Sequence, residues 1–524
     1  MARTGRLFIR KPLADLRADT ERHGLVRALG PLQLVTIGIG CIIGAGVYVM
    51  TGTAASNYAG PAVVISFALA GIACGFTALC YAELSSTLPV AGASYSYAYA
   101  ALGEVFAWTL AWMLSLEFGL AGSALAVGVS GYLLSLLNDF GISVPAGLSN
   151  PLVQAVPSAH GAHFTIGTSV NLVAVAAVAL FAAVLVRGVT QSARLNAFMV
   201  IVKIGVLIAF VIVGAPHVHA ANWRPFLPSS QGGFAFGWLG VFRGASILFF
   251  AYLGFEAVAT AALEARRPQR DIPIGILGSL LVATLVYIAV ALVLTGLVPY
   301  SKLNVPDPVA VAVDVVGWPA LTLLIKLGAL AGLSSVLMIN TFAHSRVWFA
   351  MADDGLLPGF ICSIHPRFKT PYLGTILVAA IAAVGAAFLP IAILGDLVSL
   401  GTGVVFLTVA VSTMWLRSTE PDLPRPFRVP FGGVRIGRAW IGVVPVLSII
   451  LTAVMVAPVL GDIAYKASKG DWIPAVILIL YILAGALLYA SYGLRKSRLG
   501  LAWKEETRSR GLRAPDELLQ ARSR

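Results

Sequence analysis

A glycine-rich segment inside a long apolar run is the first part of the chain that could bind a small polar molecule. Residues 36–51 contain Gly38, Gly40, Gly44 and Gly46 among apolar neighbours. Glycine costs about 1 kcal/mol relative to alanine in a helix interior, and it lets the backbone leave helical geometry. In hydrocarbon, the N–H and C=O groups freed in this way are tolerated only where they line a cavity or meet a ligand. The segment therefore predicts a binding site, with close helix packing through small residues as the alternative.

A second interrupted segment favours the binding site over plain packing. Residues 244–256 crowd aromatic side chains around Gly254 and place Glu256 two residues after it. Two broken spans at corresponding positions in two halves of a membrane protein indicate the substrate site of a transporter. The two segments are therefore predicted to form one site.

Three of the charged residues inside apolar segments are candidates for a function: Lys203, Glu117 and Glu256. Lys203 is in the middle of such a run, where a lysine costs about 2.5–3.5 kcal/mol on insertion scales and should face protein or water. It is a candidate proton carrier, and a structural cation bonded to hydroxyls and to the carbonyls of span 1 is the alternative. Glu117 and Glu256 are functional candidates for the same reason. Either acid could instead cap a broken helix end or pair internally.

The composition is that of an integral membrane protein. Of 524 residues, 58% are hydrophobic and 11% are charged, against about 25% charged in soluble domains. Residues 28–82 contain no charged residue. This uncharged segment is far longer than the roughly 20 residues that span a bilayer. The four cysteines have neither disulfide nor metal-ligand spacing, and no nucleophile–base pair lies in the apolar runs. We therefore expect no metal, no cofactor and no enzymatic activity.

Apolar runs predict twelve spans, numbered here in chain order. They lie near residues 34–55, 61–84, 104–134, 169–186, 196–214, 238–263, 274–298, 319–345, 372–391, 395–416, 439–460 and 472–492. Arginine and lysine are concentrated on one side of them, in 1–30, 187–194, 266–270, 346–369, 417–438 and 495–524. By the positive-inside rule both termini are cytoplasmic. The net charge of +13 is therefore topological, and the expected partner is the lipid bilayer of the inner membrane, not nucleic acid.

The two broken spans are five spans apart, which predicts a repeat. Residues 31–214 would form a first five-helix unit and residues 236–416 a second, inverted one. Residues 439–492 add two C-terminal helices, and the segments 1–30 and 493–524 are cytoplasmic tails. The predicted fold class is an all-α polytopic membrane protein with about twelve transmembrane helices and broken helices 1 and 6.

Seven motifs in residues 28–492 resemble a known family. They are Gly38–Gly46, Cys80–Leu84, Phe249–Phe255, Pro268–Pro273, Gly328–Ser335, Met351–Pro358 and Asp422–Arg428. Together they resemble the amino acid permeases of the amino acid–polyamine–organocation superfamily, and most of all the bacterial relatives of the cationic amino acid transporters. The resemblance implies the five-plus-five inverted-repeat (LeuT-type) fold and secondary active transport of an amino acid.

The resemblance also implies a set of substrate contacts. The substrate α-carboxylate would bind the amides at the break of span 1, those of Gly44, Ala45 and Gly46. A helix N-terminus carries about +0.5 charge and free N–H groups, which agrees with that role. The α-ammonium would bind the carbonyls of Ile42, Phe250, Ala251 and Leu253. Phe250 would also cover the substrate, unless it only packs, and Leu333 would set the size of the pocket.

Coupling and gating residues follow from the same resemblance. A lysine at the position of Lys203 replaces a sodium ion in proton-coupled relatives, and Ser334 and Ser335 would be its neighbours. Three further residues, Glu83, Arg346 and Asp354, are expected in a cytoplasmic gate or network, and Glu117, Arg243 and Glu256 are the other candidates for a gate or network. The chain departs from the family at Arg243, near the outer start of span 6, where a small or neutral residue is usual; at Ala45, where relatives often have a hydroxyl; and at Leu263, which replaces an acid. A cation at position 243 would disfavour cationic substrates.

The sequence thus predicts a permease that imports amino acids by proton symport and alternating access. Two alternatives remain open, a proton-independent exchanger and a membrane receptor that senses amino acids without moving them. The sequence makes no prediction about protein partners.

Overall fold

The computed structural model describes residues 8–12, 29–90, 93–158, 161–188 and 193–509. Within these residues, nine helical stretches are long and apolar enough to cross a membrane, and shorter apolar helices accompany them. The all-α membrane fold is therefore confirmed. Most of the tail 1–30 and residues 510–524 lie outside the described residues.

The first half of the chain contains spans 1 to 5. Span 1 comprises the helix Pro31–Ile42 and, after an interruption, the continuous helical turns Gly46–Met50, Thr51–Ala54 and Ala55–Ala59. The other spans are Val63–Thr87, Glu104–Asp139, Leu172–Val186 and Ala193–Gly214. The connections contain the short helices Gly60–Ala62, Ala93–Ala101, Ala146–Ser149, Ala215–His217 and Ala220–Trp223, and the antiparallel strands Val153–Ser158 and Gly161–Ile166.

The second half contains spans 6 to 12. Span 6 comprises Gly237–Leu248, Phe249–Tyr252, Ala257–Thr260 and Ala261–Leu263. The others are Pro268–Leu297, Pro319–Asp353, Tyr372–Phe388, Ile391–Thr419, Val443–Ser468 and Ile473–Leu488, the last continuing through Tyr489–Gly493 and Leu494–Lys496. The connections and the C-terminal part contain Tyr300–Lys302, Pro308–Asp314, Gly359–Cys362 and Arg498–Ser509, and the antiparallel strands Gly433–Ile436 and Ala439–Gly442.

The longest of the nine stretches, Gly46–Thr87, consists of the second part of span 1 and the whole of span 2, joined by a sharp turn. Gly46 lies against Ala251 of span 6, and the carbonyl of Phe67 accepts a hydrogen bond from the Tyr252 hydroxyl at 2.8 Å. Gly46 and Phe67, about twenty residues apart, thus both contact neighbouring residues of span 6, so the chain must reverse its direction between them. The reversal falls at Gly60, whose φ of 60° lies in the left-handed region that glycine enters without steric cost. Spans 1 and 2 are separated there, and the described residues contain the twelve spans that the sequence predicts.

The two broken spans are joined at their ends and enclosed by unbroken ones. Leu29, before span 1, forms a parallel bridge with Ala265, after span 6, through backbone hydrogen bonds of 2.8 and 2.9 Å. Span 7 packs against spans 1 and 2, and span 3 packs against spans 8, 9 and 10. Prolines in the first turn of spans 7, 8 and 12 occupy the position where a missing N–H costs nothing. These continuous helices hold the two breaks in place.

Candidate functional site

The break in span 1 exposes three backbone donors. The helix ends at Ile42, and Ile43 has an extended conformation with φ −74° and ψ 98°. The next helical turns begin at Gly46. Among the described residues, the N–H groups of Gly44, Ala45 and Gly46 have no acceptor, because the helix that would supply one has ended. The three amides predicted to bind a carboxylate are thus free donors at a helix N-terminus.

The break in span 6 is held by its own acid. The helix tightens over Phe249–Tyr252, Leu253 is extended, and Gly254 has a φ of 116°. The Glu256 carboxylate accepts from the Gly254 N–H at 3.0 and 3.2 Å. Of the roles considered for Glu256, the one that the geometry supports is the local cap.

The two breaks meet backbone to backbone. A Cβ atom on Gly46 would have no room against the Cα and Cβ atoms of Ala251, and one on Gly254 would lie 2.7 Å from the carbonyl carbon of Cys41. Only glycine permits this approach at both points. The donors of span 1 and the carbonyls of span 6 therefore lie at one level of the bundle.

Replacing Gly46 with alanine should force the breaks apart. We expect a large loss of uptake by purified protein in vesicles, together with a loss of folding stability of about 1–3 kcal/mol, which is typical of overpacking. Gly205 is the matched control, because a Cβ there meets no atom within 4 Å. Uptake by Gly46→Ala equal to that of Gly205→Ala would contradict the close packing of the breaks.

Three of the four carbonyls predicted to bind the α-ammonium lie within hydrogen-bonding distance of a donor, and one of these donors was not predicted. The Tyr287 hydroxyl of span 7 lies 2.7 Å from the carbonyl oxygen of Ile42 and 2.9 Å from that of Ala251. The carbonyl of Phe250 accepts from the Leu253 N–H at 3.1 Å. Tyr287 is a tyrosine in an otherwise apolar run. Its position in the sequence does not predict that its hydroxyl reaches the two carbonyls.

Lys203 ties span 5 to the same break. Its Nζ atom is fully buried and donates to the carbonyls of Gly40 at 2.6 Å and Ile43 at 3.0 Å. Neither predicted serine neighbour is hydrogen-bonded to it: the Ser335 hydroxyl is buried without a partner among the described residues, and Ser334 is half-buried. In the part of the chain that the structure describes, the hydrogen bonds of the ammonium therefore go to carbonyl groups.

Apolar residues of spans 3 and 8 line the side of the break. A Cβ on Gly44 would lie 3.2 Å from Val336 and 3.3 Å from Leu125. Leu333 is fully buried and lies 3.3 Å from where a Cβ on Gly128 would be. The other predicted contact residues, Ile42, Ala45, Phe250 and Ala251, are buried as well, and only Leu253 is half-buried. The site is closed to solvent in this conformation.

Comparison with known proteins decides the family. The family model described as "Amino acid permease" matches residues 29–490. The methylthioribose transporter of Bacillus subtilis is 41% identical over 94% of this chain and 99% of its own length. The branched-chain amino acid permease BcaP of the same organism is 37% identical with the same coverage. The vacuolar cationic amino acid transporter 4 of Arabidopsis thaliana is 38% identical over 76% of this chain and 65% of its own length.

The chain belongs to the amino acid permease family. It is a multi-pass membrane transporter and not an enzyme, as the sequence predicted.

On the side predicted to be extracellular, the permease is closed by a buried charge cluster. Arg243 donates to both oxygens of Asp396 at 2.7 Å and to Asp462 at 2.9 Å. Lys466 donates to Asp462 at 2.9 Å, and the Arg243 guanidinium lies 4.5 Å from the ring centre of Tyr58. Two cations and two anions balance in this conformation, so the charge of Arg243 is neutralised by its neighbours, and the expectation that it disfavours cationic substrates stays a prediction. The sequence could not show these partners, because they come from spans 10 and 11.

On the side predicted to be cytoplasmic, two networks close the permease. Glu83 accepts from Arg417 and from the Val429 N–H, and its role in a gate stays a prediction. Asp354 accepts from Lys11 at 3.1 Å and from the Tyr95 hydroxyl at 2.7 Å. Both networks join segments that are distant in sequence.

Two further predicted residues lie outside these networks. The Arg346 guanidinium stacks over the Phe342 ring of its own helix at 4.8 Å. Glu117 of span 3 is fully buried, and neither carboxylate oxygen has a hydrogen-bond partner among the described residues. The role of Glu117 therefore stays a prediction.

Proposed function

We propose that this permease imports amino acids across the inner membrane by proton symport with alternating access. The single observation that carries the proposal is the meeting of two helix breaks, one presenting free N–H donors and the other presenting carbonyl acceptors. An α-amino acid carries a carboxylate and an ammonium on one carbon, so it matches donors and acceptors placed side by side. Because these contacts come from the backbone, they serve any amino acid whose side chain fits the apolar wall.

Proton coupling is assigned to Lys203. A buried lysine can exchange its proton when its surroundings change, and Lys203 contacts the same break that would hold the carboxylate. Substrate binding at the break and protonation of the lysine would then stabilise the same conformation. Coupling requires this, because a ligand shifts a conformational equilibrium only when it binds one conformation better than the other.

Closure on both sides supports alternating access. The Arg243 cluster lies on one side of the breaks, and the Glu83 and Asp354 networks lie on the other. Each side contains ion pairs that could open separately while the other remains closed. The conformation described here would be the occluded intermediate between the two open states.

A second substrate class is favoured by one observation. The relative with 41% identity carries methylthioribose in its name, and that sugar has neither a carboxylate nor an ammonium. Such a substrate would leave the free amides of Gly44 and Ala45 without a charge to bind. The donor set therefore favours an amino acid, and methylthioribose is the rival to test.

The substrate is tested by uptake into vesicles that contain the purified protein. The panel contains branched-chain, small neutral and cationic amino acids, together with methylthioribose. We expect saturable uptake of at least one amino acid and none of the sugar. Uptake of methylthioribose alone would overturn the amino acid assignment. Saturable binding without uptake would favour the sensor, and uptake only into vesicles preloaded with amino acid would favour the exchanger.

Leu333 should set the upper limit of side-chain size. Replacing it with serine removes apolar volume beside span 3, so longer side chains should compete about tenfold better for uptake, the effect of one or two methylene groups in an apolar pocket. The measurement is inhibition of uptake by a series of amino acids of increasing length. An unchanged order of inhibition in Leu333→Ser would remove Leu333 from the pocket.

A further inference from the structure

Tyr287 occupies the point where the two broken spans come closest. Its hydroxyl lies 2.7 Å from the Ile42 carbonyl of span 1 and 2.9 Å from the Ala251 carbonyl of span 6. Span 7, which carries it, is a continuous helix from Pro268 to Leu297. A side chain on a rigid helix thus reaches both flexible breaks at once.

The ring of Tyr287 is held by packing. It is fully buried, and its centre lies 5.2 Å from that of Phe67 and 5.5 Å from that of Tyr252. Both distances are within the range of favourable aromatic contacts. The position of the hydroxyl is therefore set by spans 2, 6 and 7 together.

The oxygen atoms around the Tyr287 hydroxyl can accept further hydrogen bonds from a cation. A phenol has one proton, so the hydroxyl donates fully to only one of the two carbonyls at a time. The other carbonyl and the lone pairs of the phenol oxygen remain available as acceptors. An ammonium group has three donors, which matches three oxygens gathered at one point: those of Ile42, Ala251 and Tyr287.

Lys203 limits where such an ammonium can bind. Its Nζ atom already uses two other carbonyls of the same break, those of Gly40 and Ile43. Two cations side by side would repel each other, so the pair of carbonyls at Tyr287 is the better place for a second ammonium.

We propose that Tyr287 is a positioning residue for the α-ammonium of the substrate, holding the Ile42 and Ala251 carbonyls at a fixed separation and accepting the third ammonium hydrogen bond. This inference rests on the proposed function, since it requires a substrate that has an α-ammonium. It adds a side chain to a subsite that the sequence assigned to backbone carbonyls alone.

The test uses Tyr287→Phe, which keeps the packed ring and removes only the hydroxyl. The control is Tyr252→Phe, because that hydroxyl is equally buried but donates to the Phe67 carbonyl of span 2 instead of joining the breaks. The full-length purified variants are titrated with a transported amino acid and with its des-amino analogue, which keeps the carboxylate and the side chain.

We expect Tyr287→Phe to bind the amino acid about tenfold more weakly or worse, the loss typical of a hydrogen bond to a charged group. Affinity for the des-amino analogue should stay the same, and Tyr252→Phe should resemble the wild type with both ligands. Both ligands are compared in the same variant, so a smaller folded fraction would not change the ratio of the two affinities. Equal losses for both ligands, or no loss for either, would overturn the role of Tyr287. If the wild type itself binds no amino acid, the proposed function fails instead.

Discussion

Replacing Lys203 with methionine is expected to abolish proton-driven accumulation. In the wild type, one proton per substrate and a pH gradient of about one unit should support about a tenfold concentration ratio, because one unit corresponds to about 1.4 kcal/mol. Lys203→Met keeps a long unbranched side chain, one atom shorter than lysine, but it cannot carry a proton to the Gly40 and Ile43 carbonyls. The measurement is the internal-to-external ratio of labelled substrate in vesicles, which should fall to about one.

Two further variants distinguish a proton-carrying role of Lys203 from a purely structural one. Lys203→Arg keeps a cation that does not lose its proton in proteins, so it should bind substrate without accumulating it. Lys326→Met removes another buried lysine, which pairs with Asp139 and lies in the outer part of span 8, and it should accumulate substrate normally. Normal accumulation by Lys203→Arg would show that the lysine is only a structural cation.

Replacing Asp396 with asparagine should cause the largest loss of stability. Asp396 is 5% exposed and its partner Arg243 is fully buried, so the change leaves the cluster with one uncompensated buried positive charge. Removing one member of a buried ion pair costs about 3–5 kcal/mol. The melting temperature of the purified protein in detergent should fall clearly, and uptake should fall with it.

The matched control for Asp396 is Asp139→Asn. Asp139 also pairs with a buried cation, Lys326, but its side chain is 43% exposed and Asp314 lies 3.7 Å from the same lysine. Water and the second acid can replace it, so the expected loss is about 0–1 kcal/mol. Equal melting temperatures for the two variants would contradict the buried character of the Arg243 cluster.

The sequence predicted the features that depend on local chemistry. Glycines that break an apolar helix identify Gly44 to Gly46 and Gly254 without any knowledge of neighbours, because the cost of glycine in a helix is local. The apolar runs gave the spans for the same reason, and Lys203 was conspicuous because a charge in an apolar run is expensive wherever it lies.

Pairings between distant spans could not be predicted. Arg243 was expected to repel cations, and its neutralisation by Asp396 and Asp462 depends on how spans 6, 10 and 11 pack. Tyr287 is a common residue in an apolar run, and only the folded bundle brings its hydroxyl to two carbonyls that are 36 and 245 positions away. For Glu256 the sequence left open a functional role, a cap of a broken helix end and an internal pair, and the geometry supports the cap, through the N–H of Gly254.

The most direct test of the account is proton movement driven by substrate. Purified protein is placed in sodium-free vesicles that contain a pH-sensitive dye, and an amino acid identified by the uptake panel is added outside without any imposed gradient. Symport predicts acidification of the interior that follows the amount of substrate added and is absent in Lys203→Met. Substrate entry without acidification in the wild type would contradict proton symport and leave the exchanger.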